Sequence, residues 1–111
     1  GRKMTNVIRM KRGNVFTFSH QLRWSDNTPM SLVSATKVNM KMKRDGGDEY
    51  VVDDEMEVYD DVNGYVQRMW QVEEVSETGM YYVEIEVTFS DGSVITVPSA
   101  DILLVWIMED I

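Results

Sequence analysis

The chain has 111 residues, 43% of them hydrophobic and 27% charged, which fits one compact domain with a core of its own. It has no cysteine and a single histidine, His20, so disulfides, thiolate metal sites and multi-histidine metal sites are excluded. The formal net charge of -8 has the wrong sign for binding nucleic acid or an anionic membrane surface, and neither is expected as a partner.

The chain ends give two further expectations. No run of 18 apolar residues is present, and the first residues lack the apolar stretch of a secretory signal, which disfavours membrane insertion and signal-driven export. Residues 1–3 precede Met4 and have the pattern of a tag or cleavage remnant. We therefore expect a single β-sandwich domain over residues 4–111.

The first half of the chain alternates apolar and polar residues every second position, as strands do. Strands are predicted over residues 7–10, 15–24 and 36–43, separated by turn sequences at 11–14, 25–29 and 45–48. In the second of these strands one face is expected to be core: Phe16, Phe18, His20, Leu22 and Trp24. The third strand has a lysine face that is expected to be solvated.

The second half continues this pattern. Residues 49–62 are predicted to form two short strands, and Asn63-Gly64 predicts a hairpin into a strand over 65–70. The acidic stretch 72–78 lacks alternation and is expected to contain one helical turn capped by Gly79. Residues 81–89 form the clearest strand, and Asp91-Gly92 turns it into a partner that begins at Val94 and ends at Pro98.

The last predicted strand, residues 102–108, is apolar on both faces. One face belongs against the domain core, and the other needs a second covering. We therefore predict an interface on that second face, which carries Ile102, Leu104, Trp106 and Met108. Seven to nine short strands with regular turn signals favour an all-β fold, an antiparallel immunoglobulin-like β-sandwich of about 7–9 strands.

The charges are divided unevenly along the chain. Ten of the 11 basic residues and one of the 19 acidic residues lie in the first 44 positions, so this part carries +9 and the remainder -17. Two explanations stay open. Lysines 37, 41 and 43 would pair with acids of a neighbouring strand, or the two signs would form a bipolar surface that orients copies or partners head to tail.

The acidic residues and His20 could carry chemistry or have plain structural roles. Nine acids between positions 45 and 61 offer oxygen ligands of the type that calcium prefers, but their spacing does not match an EF-hand loop. A glycosidase needs two carboxylates about 5–10 Å apart across a cleft, for which the chain has no spare segment. Ser-His-Asp catalysis would require His20, which alternation places in the core. We predict no catalytic residue, no metal site and no cofactor.

The aromatic residues leave a choice between core packing, sugar stacking and partner anchoring. Most of the eight tryptophans and tyrosines are expected to be core, because large aromatics on strand faces are usually buried. They are Trp24, Tyr50, Tyr59, Tyr65, Trp70, Tyr81, Tyr82 and Trp106. Trp106 is the expected exception, since it lies on the second apolar face of the last strand, and aromatic anchors dominate interface energetics.

The order of motifs resembles a known family. The relevant stretches are residues 13–18 (GNVFTF), 27–38 (NTPMSLVSATKV), 79–93 (GMYYVEIEVTFSDGS) and 96–99 (TVPS). Together they resemble the N-terminal domain of phage baseplate upper proteins and related small tail proteins of long-tailed phages of Gram-positive hosts. Asn14, Ser31 and Ser34 depart from the residues usual in that family.

This resemblance implies an immunoglobulin-like sandwich that is a non-enzymatic part of the phage tail tip, made in the host cytoplasm. It implies contacts with other tail or baseplate proteins and carries over no catalytic residue. Self-association through the strand at 102–108 is a further expectation. A host-saccharide-binding module is the alternative function, since exposed aromatics also stack on sugars.

Overall fold

The computed structural model describes residues 5–98 and 102–109. These residues form nine strands and one short 3-10 turn, so the all-β prediction is confirmed. The strands are β1 (Thr5–Lys11), β2 (Thr17–Gln21), β3 (Ala35–Arg44), β4 (Tyr50–Glu55), β5 (Glu57–Asp60), β6 (Tyr65–Met69), β7 (Gly79–Phe89), β8 (Val94–Val97) and β9 (Ile102–Met108). The predicted tag remnant lies outside the described residues.

The strands form two sheets. The larger sheet has the order β1-β9-β7-β3-β4, with β8 also paired to β7, and the smaller sheet has the order β2-β6-β5. The smaller sheet is antiparallel as predicted, but β1 pairs with β9 in parallel, so the larger sheet is mixed. Local alternation does not reveal this pairing, because it joins the two ends of the chain.

The core lies between the two sheets. Each strand turns alternate residues inward, since side chains of a strand point to opposite faces of its sheet. The largest of the fully buried side chains is Trp70, followed by Tyr81. A single cluster of buried residues joins strands of both sheets: it includes Met10, Phe18, Val38, Met40, Met42, Val52, Val66, Val83, Ile85, Val87, Leu103, Val105 and Ile107.

Two short strands occupy residues 50–60, as predicted, but they belong to different sheets. β4 pairs with β3 in the larger sheet, and β5 pairs with β6 in the smaller one. Met56 lies between them, is buried, and donates its backbone N–H to the Val38 carbonyl at 2.8 Å. The chain therefore crosses from one sheet to the other at Met56.

The strand predicted over residues 15–24 is shorter, because β2 covers only Thr17–Gln21. Phe18 and Leu22 are buried, His20 is half-buried, and Phe16 and Trp24 are exposed. After Leu22 the chain turns back, with Trp24 donating its N–H to the Thr28 carbonyl at 2.9 Å. The expectation that all five alternating residues face the core is thus wrong at both ends of the strand.

The helical turn is Val72–Val75, and it ends at Ser76 rather than at Gly79. Gly79 is instead the first residue of β7, with φ of 142°. The predicted hairpin turns are confirmed at Gly64, with φ of 78°, and at Gly92, with φ of 89°. Both torsions are in the region that favours glycine.

Candidate protein interface

The outer face of the larger sheet, which points away from the core, carries a group of apolar side chains at β1, β7 and β9. We call this group the outer patch, and its members are Val7, Met80, Tyr82, Ile102, Leu104, Trp106 and Met108. It contains the four residues that the sequence predicted as an interface. That they bind a partner stays a prediction.

Strand β9 shows why this face differs from the core. Leu103, Val105 and Ile107 point inward and are buried. On the other face Trp106 is 40% exposed, and its three predicted companions are half-buried. Both faces of β9 are therefore apolar, and within the described part of the chain only the inner one is fully covered.

The register brings further residues beside those of β9. Trp106 lies opposite Met80 of β7, and Leu104 lies opposite Tyr82 of β7 and Val7 of β1. Neighbouring strands lie about 4.7–4.9 Å apart, so these side chains form one continuous surface across three strands. Alternation along each strand was visible in the sequence, but the contribution of Val7, Met80 and Tyr82 was missed because it depends on which strands pair.

A set of cations borders the outer patch. Arg9 has its guanidinium carbon 5.7 Å from the centroid of the Trp106 ring, a cation–π distance. Lys11 lies opposite Met108 on the same face. On the β3 side, Lys43 is opposite Tyr82, and its Nζ is 5.6 Å from the Tyr50 ring centroid. We call Arg9, Lys11 and Lys43 the basic rim.

A shallow depression adjoins the patch where β8 and β9 meet along β7. β9 pairs with residues 79–83 of β7 and β8 with residues 85–88, which leaves Glu84 opposite neither strand. The depression is lined by Tyr82, Val83, Glu84, Pro98, Ile102 and Leu103.

Two of the four cations on β3, Lys41 and Arg44, form ion pairs inside the domain. Lys41 Nζ lies 2.8 Å from Glu86 Oε1, and Lys41 is opposite Asp53 of β4 and Glu84 of β7. Arg12 also pairs with Glu109 at 2.9 Å. Of the three lysines expected to pair with acids of a neighbouring strand, Lys41 does so, while Lys37 and Lys43 are in no ion pair among the described residues. The basic rim as a whole likewise has no ion pair there.

His20 is placed on the inward-pointing side of β2, as alternation predicted, but it is only half-buried. Its ring stacks on Phe18 with centroids 5.9 Å apart and planes 18° from parallel. Burial lowers the pKa of His20 below its usual 6.5, and the charge of Arg23 lowers it further. Both effects favour the neutral imidazole, and its stacking on Phe18 is an arrangement suited to packing.

The acids of residues 45–61 are spread over a turn, two strands and a loop. Among residues 5–98 and 102–109, no three histidine or acidic side chains converge where they would hold a metal ion. Asp54 is instead engaged by Arg68, whose Nε lies 3.1 Å from Asp54 Oδ2. Asp60 accepts hydrogen bonds from the backbone and side chain of Asn63.

The aromatic residues are mostly not core, contrary to expectation. Of the eight tryptophans and tyrosines, Trp70 and Tyr81 are buried and Tyr65 is half-buried. The others are exposed: Trp24, Tyr50, Tyr59, Tyr82 and Trp106. Period-two alternation assigns a residue to a face, but it does not say which face a second layer covers.

A second exposed surface lies on the outer face of the smaller sheet and is largely polar. Tyr59 and Tyr65 have ring centroids 5.7 Å apart with planes at 36°. The Tyr59 hydroxyl shares a 2.5 Å hydrogen bond with Ser19 Oγ, and Gln67 Nε2 donates to Glu57 Oε1 at 3.0 Å. Aromatic rings and amide side chains therefore lie side by side here.

No helix in the described ranges is long and apolar enough to cross a membrane. No family model matches the chain, and no curated protein matches it in sequence.

Proposed function

We propose that this protein is a non-enzymatic structural component of a phage tail tip or baseplate. In this role it docks onto other tail proteins, including those that bind the host surface, through the outer patch. The assignment to a phage tail rests on the resemblance in the order of sequence motifs. The observation that carries it is the exposed apolar face of β9, with Trp106 at its centre.

Apolar surface that is exposed to water is unfavourable, and covering it favours association. Isolated apolar residues on a surface are normal, but a contiguous apolar patch with a polar rim is typical of a binding surface. Tryptophan is enriched among the residues that dominate binding energy. Trp106 is flanked in register by Met80 and Arg9, so a partner that covers the ring would also cover its neighbours.

The proposal includes an immunoglobulin-like fold. The larger sheet has six strands, with β1 at its edge parallel to β9. It faces the smaller sheet of order β2-β6-β5. Two packed sheets of mostly antiparallel strands, with the chain crossing from one sheet to the other at Met56, support this fold.

Immunogold labelling of purified particles of the phage that encodes this chain tests the proposed location. We expect label at the distal tail tip, and antibody against the major capsid protein serves as the positional control. Particles that carry capsid label but no tail label would refute a virion role. Label confined to the lysate fraction would point to a protein that acts outside the particle.

Binding of a host saccharide is the second candidate function, and the smaller sheet favours it. Tyr59 and Tyr65 offer rings for stacking, and Gln67 and Ser19 offer hydrogen bonds beside them. Titration with teichoic acid and peptidoglycan fragments tests it. Saturable binding that Tyr65→Ala removes and Tyr50→Ala leaves intact would support it, because Tyr50 is exposed on the other sheet. The absence of saturable binding would eliminate it.

A further inference from the structure

We propose that the outer patch binds one particular surface, the acidic end of a second copy of this chain. By acidic end we mean the β3–β4 turn at residues 45–49 together with the segment 71–77. This inference rests on the proposed function, since it takes the outer patch to be an interface. It goes further by naming the partner and the surface that the partner presents.

The first observation is the sign of charge around the outer patch. Arg9, Lys11 and Lys43 border it, and none has an ion pair among the described residues. Glu84, which lines the depression beside Tyr82, is not in an ion pair there either. The patch is therefore edged by positive charge on a protein whose formal net charge is -8. An acidic partner surface would be attracted to it.

The second observation is the composition of the acidic end. Asp45, Asp48, Glu49 and Glu73 are all exposed, and none is in an ion pair within the described ranges. The two segments are held together, because Arg44, the residue just before the turn, donates to Glu77 Oε2 at 3.1 Å and to the Thr78 carbonyl at 2.9 Å. The acidic groups therefore form part of one built surface.

The acidic end also presents apolar side chains. Val72 in the 71–77 segment is exposed, and so is Met69 just before it. Phe16 lies alongside, since its carbonyl accepts a hydrogen bond from Trp70 N–H at 3.1 Å. Association needs buried apolar area as well as complementary charge. The acidic end and the outer patch match in both, because each has exposed apolar side chains and the charges around them are of opposite sign.

The acidic end adjoins the outer patch, because Asp45 donates its backbone N–H to the Met80 carbonyl at 2.9 Å. A contact of patch with acidic end therefore either joins two copies reciprocally, each patch against the other's acidic end, or runs from one copy to the next in a ring or filament. A symmetric contact of patch against patch is the alternative. It would bring two basic rims together and is disfavoured by like-charge repulsion.

Mixing two charge-reversed variants tests the proposal. The patch variant is Lys43→Glu, and the end variant combines Asp48→Lys with Glu73→Lys. Lys37→Glu on the far part of β3 is the charge-matched control of the patch variant, and Asp61→Lys in the β5–β6 turn combined with Glu55→Lys at the end of β4 is the charge-matched control of the end variant. Unfolding curves establish that each variant is folded, and sedimentation velocity measures its size at about 50 mM and about 500 mM salt, where screening differs strongly.

We expect the wild type and both controls to associate at low salt and less at high salt. The patch variant and the end variant alone should be monomeric. Their mixture should form a 1:1 complex of twice the 12.9 kDa chain mass and no larger, since each supplies one intact surface. A mixture that stays monomeric, or a wild type that is monomeric at low salt, would overturn the inference.

The outcomes also separate this inference from the proposed function. If the patch variant blocks association and the end variant does not, the acidic end is the wrong partner, although the outer patch remains an interface. If the wild type does not self-associate but particles are labelled at the tail tip, the virion role stands and the second copy is refuted as its partner.

Discussion

The guanidinium of Arg68 donates two hydrogen bonds to the carboxylate of Glu74, from Nη1 to Oε1 at 2.9 Å and from Nη2 to Oε2 at 2.6 Å. Both side chains are largely buried. Arg68 also donates to Asp54 of β4, and Glu74 accepts the backbone N–H of Gln71. One arginine of the smaller sheet thus connects it to the larger sheet and to the 3-10 turn.

We predict that Arg68→Met destabilises the fold by about 3–5 kcal/mol, because it leaves the Glu74 carboxylate buried without its counter-charge. Urea unfolding followed by tryptophan fluorescence measures the loss. Arg12→Met is the control: its partner Glu109 is exposed, and a surface pair contributes about 0–1 kcal/mol. Equal losses in the two variants would show that the Arg68 network adds little.

We predict that Gly64→Ala is much more damaging than Gly46→Ala. Both glycines have φ near +80°, where a Cβ costs about 1–2 kcal/mol. At Gly46 the space is open, but a Cβ on Gly64 would overlap the carbonyl oxygens of Met30 and Leu22. Overpacking adds about 1–3 kcal/mol more. Thermal unfolding of the two variants side by side measures the difference, and identical midpoints would contradict it.

We predict that stability falls as pH decreases below about 6.5 and that His20 contributes to this fall. Its folded pKa is lowered by burial, so the unfolded chain binds a proton more readily than the folded one. The stabilisation is present above the unfolded pKa of 6.5 and is lost as pH drops through the folded value.

Urea unfolding at pH 7.5 and pH 5.5 compares the wild type with His20→Gln. The variant should lose less stability than the wild type across this interval, since it has no imidazole to protonate. Asp26 and Asp91 also have lowered pKa values, caused first by hydrogen bonds from Thr28 and Ser93, but they titrate below this range. An equal pH dependence in both proteins would contradict the role assigned to His20.

Much of the local structure could be predicted because it depends on neighbours in sequence. The Asp91-Gly92 hairpin and the β9 strand follow from turn chemistry and alternation, which act within a few residues. The parallel pairing of β1 with β9 could not be predicted in this way, and neither could the change of sheet at Met56. Both depend on contacts between distant segments.

The outer patch likewise contains residues that could be predicted from local sequence and residues that could not. Ile102, Leu104, Trp106 and Met108 could be placed on one face of a strand from their spacing alone. Tyr82 could not be added to them, because its membership depends on β7 lying beside β9. The burial of Arg68 was equally invisible, since a lone arginine in an alternating strand gives no sign of its partners Asp54 and Glu74.

The outer patch is tested most directly by light scattering coupled to size exclusion on the wild type, Trp106→Asp and Trp24→Asp. The two tryptophans are a matched pair, because each is 40% exposed and only Trp106 lies in the patch. The account predicts that the wild type and Trp24→Asp exceed the 12.9 kDa monomer mass, while Trp106→Asp elutes as a folded monomer. One common mass for all three proteins would contradict it.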